Sequence, residues 1–383
     1  MIPYGRQDIN QADIDAVVEV LKSDFLTQGP AVESFEQALA AKTGAQHAVG
    51  VVNATAALHI ACLALDLGPG DRLWTTPITF VASANCGRYC GATVDFVDID
   101  PKTFNMSASA LQQKLREAEK NGTLPKVIVV VHMCGQSPEM DRIAQVARAY
   151  GIRLIEDASH AVGASYMGNP VGSSAYSDIT VFSFHPVKII TTGEGGAAVT
   201  NDSHLAARMA SLRSHGITRD ATLMTTESDG PWYYQQLELG FNYRITDIQA
   251  ALGLSQLTRL EDFIERRRAI ANKYDVGLEH LPVDVPGRLS NAASSWHLYI
   301  IRLQDASRHA DVFKSMRSQG VGVNLHYIPV HLQPYYRQLG FSIGDYPVAE
   351  DYYSRAISLP LYPDLDENNQ KEVVAALERA VST

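Results

Sequence analysis

The chain has 383 residues, 46% of them apolar and 19% charged, and carries a formal net charge of −10. That length exceeds one small core and suits a large domain with a smaller one attached. The acidic balance argues against nucleic acid or an anionic membrane as the main partner, though a local basic pocket is invisible in the sum. No apolar run approaches the ~20 residues that span a bilayer, and Met1-Ile2-Pro3-Tyr4-Gly5-Arg6-Gln7-Asp8 has no apolar signal core. A cytoplasmic protein with no membrane partner is therefore expected. Cys62, Cys86, Cys90 and Cys134 form no CxxC pair and read as buried, reduced thiols.

Along the chain, strands are expected at 47–52, 72–76, 94–98, 127–132, 153–156, 179–184 and 197–200. Several are apolar at consecutive positions, as strands covered on both faces of a mainly parallel sheet require. Helical patterns at 55–65, 79–90, 107–120 and 139–150 fall between them, which reads as a doubly wound α/β layer. Thr246-Asp247-Ile248-Gln249 is a capping box opening a long helix to about residue 281, where Pro282 stops it. Beyond it a strand at 296–303, a helix at 310–319, a strand at 321–328 and a helix at 367–381 suggest a smaller α+β unit. The expected division is 1–245 and 246–383.

The chemistry begins at Lys188, in Phe182-Ser183-Phe184-His185-Pro186-Val187-Lys188, ahead of Gly195-Gly196. A lysine after a strand is ordinarily a solvated charge. Here no other charge lies between Asp178 and Glu194 except the neutral-to-cationic His185, so the amine is expected to lose solvation and favour its neutral, nucleophilic form. About thirty residues upstream, Glu156-Asp157-Ala158-Ser159-His160 ends another strand. Asp157 at the carboxyl edge of a sheet either caps a loop or faces a ligand. A lysine and an aspartate at strand ends can hold the two chemical ends of pyridoxal 5′-phosphate, the amine as a Schiff base and the carboxylate beside the ring nitrogen. His160 is either structural or within reach of the ring hydroxyl. Asn53-Ala54-Thr55-Ala56-Ala57 opens a helix whose first amides suit a phosphate, with Thr55 as the expected N-cap and Ser183 as an added hydroxyl. Phe80 is either core or a stacking platform. No nucleotide fingerprint, no clustered metal ligands and no GxSxG elbow occur, so no metal is expected.

Together with Thr27-Gln28-Gly29-Pro30, Gly193-Glu194-Gly195-Gly196, Gly240-Phe241-Asn242-Tyr243-Arg244 and His326-Tyr327-Ile328-Pro329-Val330-His331, these segments resemble the sugar-nucleotide aminotransferases of the DegT/DnrJ/StrS family over essentially the whole chain. The resemblance implies the type I pyridoxal phosphate-dependent aminotransferase fold, with a mainly parallel seven-stranded sheet and a smaller C-terminal α+β domain. It implies a homodimer with shared active sites. Lys188 and Asp157 would be catalytic, with His160 at the ring hydroxyl and Phe80 stacked. Thr55, Ala56 and Ser183 would hold the phosphate, joined by Asn242 of the neighbouring subunit. Some relatives carry histidine in place of Lys188 and act as dehydratases, so the lysine points away from that branch. Ser23-Asp24-Phe25-Leu26, Arg213-Ser214-His215-Gly216-Ile217 and Tyr327–Pro334 resemble the branch of pseudaminic acid biosynthesis, which serves flagellin glycosylation. That implies L-glutamate as donor and C4 of a UDP-linked 4-keto-6-deoxy-N-acetylhexosamine as acceptor. Tyr4, Asp24, Phe25, Leu26, Thr27, Ala54, Ser183, Asn242, Tyr327, Ile328, Pro329 and Val330 would line the substrate site. Two alternatives stand beside this: an aminotransferase for another 4-keto sugar nucleotide, dTDP-, GDP- or UDP-pentose-linked, and a non-catalytic, cofactor-binding regulatory relative.

Overall fold

The computed structural model describes residues 1–382. Its centre is a seven-stranded sheet formed by His47–Val51, Arg72–Thr75, Thr93–Phe96, Val127–Val131, Arg153–Asp157, Ile179–Ser183 and Gly196–Thr200. In spatial order the strands begin at residues 47, 196, 179, 153, 127, 72 and 93. All pairings are parallel except those of Gly196–Thr200, which runs antiparallel to both neighbours. The central strands are covered on both faces: every residue of Val127–Val131 and of Ile179–Ser183 is buried. Fully burying each apolar side chain contributes about 1.5–3 kcal/mol, so these runs dominate the stability of the layer.

Helices Ala54–Ala64, Ala82–Tyr89, Ala108–Asn121, Met140–Ala149 and Ser203–Arg213 connect or flank the strands. Two further helices, Gln11–Leu21 and Pro30–Thr43, precede the sheet. The first is tied down by the fully buried Asp13. Its carboxylate closes a capping box with Asn10 and accepts from Ser255 Oγ (2.6 Å), Gln256 Nε2 (2.7 Å) and Arg259 Nη2 (2.6 Å).

The long helix expected from residue 246 starts as its capping box requires, but it is two helices, Asp247–Leu257 and Leu260–Leu278. Arg259 leaves helical geometry (φ −106°, ψ 9°) and turns its guanidinium onto Asp8 and Asp13. A second apolar core gathers around the three-stranded sheet Val283–Asp284, Tyr299–Leu303 and Ala356–Leu359, with helices His309–Ser318 and Glu367–Ser382 packed on it. The strand expected at 321–328 does not form. Only isolated bridges hold that stretch, Ile2 to Val321 and Asn324 to Ser358. The strand expected from 296 begins at Tyr299, because Trp296 sits at φ +51° and cannot extend it. The N-terminal stretch is stitched into the same region: Ile2 N donates to Gly320 O (2.8 Å) and Gly322 N to Ile2 O (2.7 Å).

Candidate active site

The carboxyl edge of the parallel strands opens into a cleft of about 420 Å³. Strand register decides which acid reaches it. Successive side chains face opposite sides of a strand, so Asp157 turns to the cleft and Glu156 turns away. On the far side Glu156 accepts from Ser177 Oγ (2.6 Å), with His132 Nε2 2.7 Å from its other oxygen. Asp157 accepts from Ser83 Oγ (2.6 Å), Ser159 Oγ (2.5 Å) and Ser159 N (3.2 Å).

Lys188 enters the cleft from the loop after Ile179–Ser183. Its backbone is pinned by a turn, N to His185 O at 2.8 Å. The side chain opens to the cleft while protein crowds around it. That burial pulls its pKa down to about 8, with the Asp157 carboxylate pulling the other way. Among the residues lining the cleft, Lys188 is the one lysine or arginine.

His160 is buried. Tyr327 Oη lies 3.2 Å from its Nε2, and the His297 ring lies 4.4 Å from its own, centroid to centroid. Burial first, and then the charge of Lys188 or of neighbouring histidines, holds His160 and His297 well below the usual histidine range. The same two effects lower His326 to about 3, so all three rings are neutral at physiological pH. Burial pushes the Tyr327 phenol up.

Of the residues singled out from the sequence, Tyr4, Ala54, Thr55, Phe80, Asp157, His160, Ser183, Lys188 and Tyr327 line this one cleft. Phe80 is 59% exposed, leaving a ring face available at the cleft. Others lie elsewhere. Asp24, Phe25, Leu26, Thr27 and Asn242 are exposed outside the cleft, as is Ile328, and Pro329 is buried beside it. Two expectations need correction. The N-cap of Ala54–Ala64 is Asn53 rather than Thr55, and Asn53 Oδ1 already accepts from Ala56 N at 2.8 Å, so the Ala56 amide is engaged. Val330 is fully buried in the main apolar core, and its amide donates to Pro77 O (2.8 Å), so its side chain supports the site from behind.

His297 and His326 line the cleft and were not among the expected site residues. His297 stands in no local motif, and only the packing of the smaller sheet brings it there. His326 opens one of the segments that carry the family resemblance, but only Tyr327 to Val330 of that segment are expected to line the site. Among the described residues, no group of three or more His, Cys, Asp or Glu is arranged to hold a metal ion.

The cleft fits pyridoxal phosphate on its own donor set. A depressed lysine amine and an ionisable carboxylate face one space. The first turn of Ala54–Ala64 offers amides without intrahelical acceptors. The buried His160 Nδ1 has no hydrogen-bond partner, leaving a polar atom to be satisfied.

A fold of this topology, with an aspartate at one strand end and a lysine in the loop after the neighbouring strand facing one cleft, marks a pyridoxal phosphate-dependent enzyme. Solved structures and known sequences bear on the same point. Helicobacter pylori PseC, an aminotransferase involved in the biosynthesis of pseudoaminic acid, superposes with a TM-score of 0.92 at 31% identity, covering 100% of this chain and 99% of that one. The UDP-4-amino-4,6-dideoxy-N-acetyl-beta-L-altrosamine transaminase of Campylobacter jejuni is 39% identical over 97% of this chain and 96% of its own length. The spore coat polysaccharide biosynthesis protein SpsC of Bacillus subtilis is 37% identical over 99% and 97%. The chain belongs to the DegT/DnrJ/EryC1/StrS aminotransferase family, which it matches over residues 7–378. It is a pyridoxal phosphate-dependent aminotransferase.

Proposed function

We propose that the chain transfers an amino group from L-glutamate to C4 of a UDP-4-keto-6-deoxy-N-acetylhexosamine, giving UDP-4-amino-4,6-dideoxy-N-acetyl-β-L-altrosamine for pseudaminic acid synthesis. The reading is carried by Lys188 and Asp157 sharing one cleft, the lysine depressed to about 8. The choice of sugar is supported by the names of the Campylobacter and Helicobacter relatives.

Lys188 and Asp157 act as the catalytic pair, with His160 beside them. Lys188 would hold the cofactor through its amine. Asp157 would face the ring nitrogen, Phe80 the ring face and His160 the ring hydroxyl. The first-turn amide of Thr55 and the hydroxyl of Ser183 would take the phosphate. When bound, pyridoxal phosphate supplies an electron-accepting ring that stabilises negative charge on the carbon being deprotonated. An amine with a pKa near 8 both accepts and returns a proton close to neutrality, so Lys188 serves as general base and then general acid. Neutral His297 and His326 add no charge to that space. Tyr4 and Tyr327, which line the same cleft, would face the sugar.

A homodimer completes this reading. A phosphate and a nucleotide diphosphate would face a cleft with one cation of its own. Asn242, Asp24–Thr27 and Ile328 lie outside the cleft of their own chain, and exposed Trp232 and Leu239 (72% and 80%) flank the approach to Asn242 in sequence. A second copy would bring Asn242 to the phosphate.

SpsC, 37% identical over nearly the whole chain and named for spore coat polysaccharide biosynthesis rather than for an altrosamine, leaves a second reading: amination of a different 4-keto sugar nucleotide. Incubation with 15N-glutamate and a panel of UDP-, dTDP- and GDP-linked keto sugars decides between them. Labelled UDP-4-amino sugar as the preferred product supports the first reading, and preference for another nucleotide overturns it.

A further inference from the structure

Asp157 presents two oxygens to three donors, and the source of one of them lies on a separate element. Ser83 sits in the first turn of Ala82–Tyr89 and is fully buried. A serine in that position would ordinarily bond back to a carbonyl one turn earlier. Here that contact, to Phe80 O, is 3.4 Å, whereas Asp157 Oδ2 is 2.6 Å away. The single hydroxyl proton of Ser83 therefore goes to the carboxylate. Thr79 Oγ1 lies 2.7 Å from Ser83 Oγ, and with the serine proton already used, Thr79 must be the donor in that pair. The result is a buried, one-directional chain, Thr79 to Ser83 to Asp157.

On the other oxygen, Oδ1 takes the Ser159 hydroxyl and amide. An ionised carboxylate offers about four lone-pair sites, and three are filled by protein. The free one is on Oδ2, the oxygen that Ser83 holds. We infer that Ser83, backed by Thr79, is a positioning residue that fixes the Asp157 carboxylate so that one lone pair of Oδ2 remains aimed into the cleft for the nitrogen-bound proton of an aromatic ring. Phe80 lies between Thr79 and Ser83, so one short segment sets both the ring face and the carboxylate. This inference rests on the role proposed for Asp157.

The test uses the full-length enzyme with Ser83→Ala, the isosteric Thr79→Val, the hydroxyl-retaining Thr79→Ser, and Asp157→Asn. Steady-state kinetics are read together with the Kd of pyridoxal phosphate for apoenzyme, from quenching of intrinsic fluorescence. Ser83→Ala is expected to lower kcat roughly tenfold and raise the cofactor Kd several-fold, with KM for both substrates within about twofold of the parent. Thr79→Val should move the same quantities less, and Thr79→Ser should match the parent. If Ser83→Ala keeps parental kcat and Kd, or loses only melting temperature, while Asp157→Asn is inactive, the positioning role is wrong and the reading of Asp157 survives. An active Asp157→Asn removes the underlying reading instead. Should Ser83→Ala fail to fold, Thr79→Val decides: values equal to those of Thr79→Ser overturn the inference.

Discussion

The lysine at position 188 owes its lowered proton affinity to crowding, and Asp157 only partly restores the charged form. The sign of the consequence follows. Below about 8 the amine is protonated and cannot attack an aldehyde; above it the neutral form prevails. Covalent capture of pyridoxal phosphate by apoenzyme, followed by absorbance, should therefore rise with pH and level off above about 8. A solvated lysine would keep rising toward 10.5. The same shift means that the unfolded chain binds more protons between those two values, so this group's destabilising contribution is full below about 8 and is relieved as pH climbs toward 10.5. Lys188→Ala should abolish turnover while leaving circular dichroism unchanged and melting near neutral pH no lower than the parent's, because the destabilising charged amine is gone; measurable turnover in that variant would contradict its role. Lys188 and Asp157 were legible because chemistry demands those residue types at strand ends. Ser83, His297 and His326 were not: a serine in a helix and a histidine outside any motif gain meaning only from what the fold sets against them.

At the scale of elements, the junction between Gly196 and the start of Ala54–Ala64 is a tight backbone contact beside the site. A Cβ on Gly196 would meet Ala54 N and the Asn53 carbonyl carbon at 2.5 Å. Backbone cannot swing aside as a side chain does, so Gly196→Ala should cost about 1–3 kcal/mol in urea denaturation. It should also weaken cofactor retention, by displacing the first-turn amides. Asn53→Ala removes the cap of the same helix and should cost about 1 kcal/mol. The parallel strands were readable because burial on both faces leaves unbroken apolar runs. The break at residues 258–259 was not, because only the distant carboxylates of Asp8 and Asp13 draw Arg259 out of line. The extended pattern of 321–328 misled for a related reason: alternation signals a strand, but no neighbouring strand pairs along it.

For the whole molecule, the prediction is a dimer in sedimentation analysis, and partial activity on mixing two inactive variants, Lys188→Ala and Asn242→Ala. Complementation works only if one subunit's Asn242 serves the other's Lys188, so a mixture that stays inactive argues for a self-contained site. Much of the architecture was readable from composition and pattern, but the way the chain ends meet was not. Ile2 pairs beside Val321, and the cleft draws on residues from Tyr4 to Tyr327. During translation, then, the segment around Ile2 has no seat until more than three hundred later residues have followed it. A nascent chain stalled before that point has the sheet and most of the cleft lining but lacks His326, Tyr327 and the seat of the segment that carries Tyr4, so incomplete copies should hold the vitamin more weakly than finished ones.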